Sequence, residues 1–297
     1  MSRKLYIVGN GFDIHHGIPS RYSDFKEYLS NVNGTLHDHV IKYLQVEENW
    51  CDLESAFAYL DVDSVIDEGM QFLQNYSADN WSDSFHHDYQ YEMGKIVSNL
   101  SSGLKIHFCE WVRLLKMKSI EELICQPVNI DRDGLFLTFN YTLTLERTYC
   151  IRESNVKHIH GKSDDDESEI ILGHSWSPEE IPNLNDVSNP EDMDTRIMEG
   201  NELINDYFGD TFKPADKIVR ENYSFFNSLK NVEEVIVLGH SLSEVDIRYF
   251  EEVLINVKDN AKWIVTFYGD SELKSHKMTM AGLGVKNVKF CGLSEIR

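Results

Sequence analysis

Four polar side chains stand directly behind short apolar runs: Asn10 in Gly9-Asn10-Gly11, Asn140 before Tyr141, His160 before Gly161, and Ser241 after Gly239-His240. Each type has a chemistry. An amide orients a hydroxyl or a water, an imidazole that titrates near neutrality serves as a general base, and a serine behind a strand can be a nucleophile. A Gly-x-Gly turn that opens a helix lets main chain approach a phosphate. Singly, each has a bland alternative. Gly-x-Gly also serves as a tight corner, position 14 is Ile where GxGxxG needs glycine, and no Gly-Lys-Ser/Thr follows. Asn140 equally fits a helix N-cap, and His160 a hydrogen-bonded core histidine. His158 and His160 share one face of a strand, but no Asp, Glu or third His accompanies them at ligand spacing, so no metal is expected.

The elements that must position these residues are visible as apolar, β-branched runs at Leu5–Val8, Leu135–Phe139, Val156–Ile159, Val235–Leu238, Trp263–Phe267 and Val288–Phe290. Helix-period stretches separate them, which predicts an α/β fold with a Rossmann-like, mostly parallel sheet. In such a sheet the carboxyl ends of the strands share one edge, where ligands bind. Asn10, Asn140, His160 and Ser241 are therefore expected to converge.

Residues 20–127 interrupt the alternation. "SRYSDFKEYLS" and "NWCDLESAFAYL" read as capped helices, and Phe85, Tyr89, Met93, Ile96, Leu100, Leu104, Phe108, Trp111 and Leu115 form one apolar stripe with a break near Gly103. The segment is expected to be an all-helical insertion, with 1–19 and 128–297 forming the Rossmann-like domain. Residues 162–232 are a second departure: the acidic run 164–169 reads as a solvated loop or lid beside His160, and prolines follow at 178, 182 and 190. "LGHSWS" at 172–177 echoes "LGHSLS" at 238–243, an echo read as chance.

The chain of 297 residues carries 50 acidic against 28 basic side chains, a net charge of −22. That balance argues against non-specific nucleic-acid binding, which needs a basic face. A small anionic ligand is still compatible with it. Five cysteines, never closer than 16 residues, exclude a CxxC zinc ribbon and argue against a disulfide framework. No run of about 18 apolar residues is present to span a bilayer, and the first residues lack the apolar core of a signal peptide. The expectation is a reduced, cytoplasmic protein with no membrane partner.

With those residues placed, two resemblances appear. "GNGFDIHHGIP" at 9–19 is similar to the sirtuin opening motif GAGxSxxxGIP, "TFNY" at 138–141 resembles the sirtuin TxN element, His160-Gly161 its HG, and "GHSL" at 239–242 its GxSL. The "GNGFD" start, the "FNYT" strand end, "IHG" and "GHSLSEVD" at 239–246 resemble more closely the bacterial abortive-infection AbiH family, over nearly the whole chain. The AbiH resemblance implies a role in phage defence. The sirtuin resemblance implies NAD as substrate, with Asn140 and His160 catalytic in cleaving the nicotinamide–ribose bond. Gly9, Asn10, Gly11, Phe12, Asp13, Gly239, His240, Ser241 and Asp246 would then contact the nucleotide. Two departures stand out: the sirtuin zinc cysteines are absent, and Asp13 replaces a serine, so it would accept a ribose hydroxyl beside the pyrophosphate. The role implies a homo-oligomer or a partner protein of a defence system.

Two other readings stay open. "VIVLGHSLS" resembles a nucleophile elbow, with Ser241 as nucleophile and Asp270 and His276 as its partners. Alternatively, the acidic surface and helical segment suit a non-catalytic module that senses a nucleotide or phage component.

Overall fold

A computed structural model describes residues 3–77, 87–123, 125–164, 170–189, 191 and 193–296. Phe85 of the predicted stripe, residues 165–169 of the acidic run and Pro190 lie outside the described residues. The chain divides into two compact units. One comprises Met1–Arg21, Cys109–Ile171 and Pro214–Arg297; the other comprises Tyr22–Phe108 and Leu172–Lys213.

The first unit is built on six parallel strands: β1 (Arg3–Val8), β2 (Leu135–Thr138), β3 (Val156–His158), β4 (Val232–Leu238), β5 (Lys262–Phe267) and β6 (Val288–Gly292). Their order is β3-β2-β1-β4-β5-β6, the doubly wound Rossmann-like arrangement that the alternation predicts. Each predicted run is a strand of this sheet. In register, Leu5 lies between Leu135 and Val235, and Ile7 between Leu137 and Val237.

Period two decides what each face buries. Leu5, Ile7, Leu137, Val235 and Val237 pack with Tyr249, Phe250 and Val253 of the helix Ile247–Asn256 and with Met280 of Gly269–Gly282. Tyr6, Val8, Phe136, Ile236 and Leu238 pack on the other face with Phe12, Leu145 and Tyr149. Burial of each such aliphatic side chain contributes roughly 1.5–3 kcal/mol. Tyr6 stacks on Phe136 with centroids 4.9 Å apart, and its hydroxyl accepts from the Asp131 amide at 2.8 Å. A sheet covered on both faces leaves its strand ends as the place for polar side chains.

The short helix Asn10–His15 behind β1 is pinned at its far end. His16 Nδ1–H donates to the Phe12 carbonyl at 2.6 Å, its Nε2 faces the Tyr149 hydroxyl at 2.6 Å, and that oxygen accepts from the Val128 amide at 2.9 Å. Burial pushes the His16 imidazole down to about 4, so it is neutral in this chain of bonds.

The second unit is helical. Asn33 caps Gly34–Tyr43 through the Leu36 amide, Asp61 caps Val62–Met70 through Ser64, and Asp194 caps Thr195–Asp210 through Arg196. The predicted stripe runs along Asp88–Ser98 and Leu104–Leu114, with Tyr89, Met93, Leu100, Leu104 and Phe108 buried, and its residues from Cys109 on, inside the expected 20–127 segment, are counted with the first unit. The helix does not break at Gly103: a π turn, Asn99–Gly103, carries it through. The sequence-based segment 20–127 does not include residues 172–213, whose helix Thr195–Asp210 packs on Asp88–Ser98 in this unit. There a Cβ on Gly200 would run into the Tyr89 ring. "NWCDLE" places Glu54 against the fully buried Lys213 amine and the Tyr22 hydroxyl. Among the described residues no helix is long and apolar enough to cross a membrane.

Candidate functional site

The strand order reverses between β1 and β4, so their loops diverge from neighbouring strand ends, the usual crevice of an open α/β sheet. Here the crevice is filled by main chain. Gly9 N–H donates to the Leu238 carbonyl at 3.0 Å and Gly11 N–H to the Gly239 carbonyl at 2.7 Å, while Phe12 N–H turns back to Gly9. A Cβ at Gly9 would stand 2.6 Å from His240 Cα, and one at Gly11 2.8 Å from the Gly239 oxygen. Gly239 has φ of +59° and its own amide donates to Thr266 Oγ1 at 2.8 Å. All three glycines are accounted for by the crossing of two loops. Gly9-Asn10-Gly11 is a corner in this state, with the Gly9, Gly11 and Phe12 amides already bonded.

The flanking side chains are engaged in the same way. Asn10 donates to the Ser20 carbonyl at 2.7 Å and accepts from the Ser20 hydroxyl, and Phe12 is fully buried. Asp13 does not face outward to a ribose. Its carboxylate is 1% exposed and accepts from Thr142 at 2.5 Å and Thr144 at 2.6 Å. Burial pushes it up to about 6, against the hydroxyls of Thr142 and Thr144, the Asn140 amide and the positive field of His158, which all favour its charge. Asn140 caps no helix: its amide donates to the Gly9 carbonyl at 3.1 Å, tying the β2 loop to the β1 loop.

The structure brings Gly9, Gly11, Asn140, His160, Gly239, His240 and Asp246 together at the carboxyl edge. Asp246 stands between two histidines, with His160 Nε2 at 3.8 Å from one oxygen and His240 Nε2 at 3.6 Å from the other. Both rings lie edge-on to Phe139, and His160 also meets the Tyr249 ring. His160 is 3% exposed, because its ring fills space between Phe139 and Tyr249 of the helix Ile247–Asn256. His158 is turned away, with Nδ1–H donating to the Asn140 carbonyl at 3.0 Å and Nε2 against Glu146 at 2.8 Å. Each histidine thus has a carboxylate after all, Glu146 or Asp246. Both come from other elements, so no spacing reveals them. Thr142 and Thr144 were also missed, although their alternation behind Asn140 is the one visible signal.

Ser241 is exposed, but the serine-hydrolase arrangement does not form around it. His276 Nε2 lies 3.2 Å from the Ser241 main-chain oxygen, and its neighbouring carboxylate is Glu272 at 3.7 Å. An imidazole that bonds the carbonyl of the serine is not placed to take the hydroxyl proton. The echo of the Gly239 motif at Gly173-His174 lies in the other unit, where His174 Nε2–H donates to Phe208.

A model of the family described as bacteriophage abortive infection AbiH matches residues 5–267. No curated protein matches the chain.

Two expectations follow from this geometry. Gly11→Ala and Gly239→Ala should each lower stability by more than about 2 kcal/mol, as overlap of main chain with a new Cβ does, in thermal unfolding without ligand. A glycine needed only for a bound phosphate would leave that unfolding unchanged. Asp13 and His16 give opposite pH dependences. The raised Asp13 value lets the folded state hold an extra proton between about pH 4 and 6, so stability falls as pH rises there. The lowered His16 value means the folded state holds fewer protons between about 4 and 6.5, so stability falls as pH drops. Asp13→Asn removes the first alone. Its stability should therefore rise with pH across 4–6 more steeply than the wild type, by up to about 1.4 kcal/mol per unit, read from urea unfolding at each pH.

Proposed function

The chain belongs to the bacteriophage abortive infection AbiH family, and on that premise we propose that this defence protein hydrolyses NAD to nicotinamide and ADP-ribose at the carboxyl edge of its sheet. The observation that carries the reading is the meeting of Asn140, His160 and Asp246 there, an amide and an imidazole–carboxylate pair in reach of the strand-order reversal. Cleavage of the nicotinamide–ribose bond passes through an oxocarbenium-like state and needs an oriented ribose and a base for water. Asn140 offers its side-chain oxygen to a ribose hydroxyl or the water, and His160 takes the proton. Depletion of NAD would halt the infected cell before phage are released.

With the Gly9 and Gly11 amides bonded to the end of β4, the phosphates of a dinucleotide fall mainly to side chains. Arg147 and Lys162, from the loops behind β2 and β3, both face Asp164, at 3.7 and 3.8 Å. Such exposed pairs are weak enough to be exchanged for a phosphate.

One observation favours a second reading. His160 is 3% and Asn140 7% exposed, so the cluster is closed to ligand in this state, as suits a sensing module that acts through a partner protein or a second copy of itself.

The test is the NAD level after induction, with and without phage, for wild type, His160→Gln and Arg147→Ala/Lys162→Ala. Glutamine is chosen because alanine would also remove a ring packed between Phe139 and Tyr249. The glycohydrolase reading expects His160→Gln to lose activity by about 10²–10⁴-fold at unchanged melting temperature, and the double variant to need about tenfold more NAD. Protection that persists in His160→Gln with NAD untouched favours the sensing module instead.

A further inference from the structure

Leu242 has φ of +54°, the left-handed region that a branched side chain rarely adopts. The turn aims its amide at His240, whose Nδ1 accepts that N–H at 2.9 Å. A ring nitrogen that accepts a main-chain N–H carries no proton, so His240 is the neutral tautomer protonated at Nε2. This Nε2 faces Asp246, which Ser243 Oγ also approaches at 3.4 Å. Around His160 stand Asp246 from the turn Glu244–Asp246, His240 from the β4 loop, Phe139 behind β2 and Tyr249 of the helix Ile247–Asn256.

We propose that His240 and Asp246 are a positioning pair for His160. The strained Leu242 amide locks His240 neutral with its Nε2–H turned toward Asp246, and His160 is the histidine of this cluster that changes charge. Protonation of His240 at Nδ1 would break the Leu242 bond, so His240 resists it. Asp246, at ion-pair distance, fixes the His160 ring and favours its charged form. His240 and Asp246 thus act through His160, whereas the family resemblance alone makes them contacts to a nucleotide. The catalytic meaning of the pair rests on the reading of His160 as a base; the protonation states belong to the resting protein.

The experiment is histidine-selective ¹⁵N NMR of the full chain from pH 5.5 to 8. Signals among the 12 histidines are assigned by their loss in His160→Gln and His240→Gln. His240 should keep the Nε2–H neutral pattern throughout, while His160 titrates. In Asp246→Asn the His160 midpoint should fall by one unit or more, at least a tenfold change in proton affinity, and Asp246→Glu should restore much of it. A wild-type His240 that carries its proton at Nδ1, or that titrates with His160, overturns the proposal, and this measurement needs no folded variant at Asp246. So does an unmoved His160 midpoint in folded Asp246→Asn. NAD turnover measured on the same samples separates the two readings. The expected spectra without turnover reject the glycohydrolase reading and keep the pair.

Discussion

Neighbouring parallel strands whose connections depart in opposite directions usually leave a gap at their ends. In this protein that gap is closed by two glycine-bearing loops that cross at bonding distance, Gly9 and Gly11 against Leu238 and Gly239. The crossing fixes where the helix Asn10–His15 starts. It therefore also fixes where Asp13 enters the interior and which carbonyl Asn140 finds. Thr266 holds the same crossing from β5, with its hydroxyl donating to Val237 and accepting from Gly239. Four of the six strands are thus tied at their ends by bonds that allow no side chain at the glycine positions.

Around this crossing the fold keeps ionisable groups inside an aromatic shell. Burial of a charge is unfavourable unless bonds offset it. Asp13 accepts from two threonine hydroxyls, and Asp246 accepts from the Ser243 hydroxyl with two imidazole nitrogens 3.6 and 3.8 Å away. The compensation is local, which explains why a chain of net charge −22 can hold carboxylates so close to its sheet. It also explains the closed appearance of the edge. Polar groups this well partnered exchange their bonds for a ligand only if that ligand supplies equivalent ones.

The strands were legible because a sheet covered on both faces demands unbroken apolar runs, and those runs stand out against an acidic sequence. Convergence of Asn140 and His160 followed from topology, since parallel strands share a carboxyl edge, whereas His240 and Asp246 were pointed to only by the family resemblance. Burial was not legible. Nothing in "VKHIHG" tells that the helix Ile247–Asn256 covers His160, or that Asp13 turns inward to Thr142 and Thr144. Such facts depend on which elements lie on top of the strand ends, and they involve residues more than 80 positions apart. The packing of residues 172–213 with the helices that begin at Tyr22 was hidden for the same reason. A proline-marked, polar segment reads as loop until the face it covers is known.

The π turn at Asn99–Gly103 carries a meaning for how this chain tolerates changes in length. A π turn holds one residue more than an α turn, so it absorbs an insertion without breaking the helix. An ideal helix advances 100° per residue, and the extra residue resets that phase so that Leu104 and Phe108 remain buried after Tyr89 and Met93. A homologue that lacks one residue here would run as uninterrupted α-helix with its downstream apolar positions facing as they do now. The turn is thus a point where chain length can change by one residue without turning the apolar face, and it marks where homologous sequences of this unit should be allowed a gap when they are aligned.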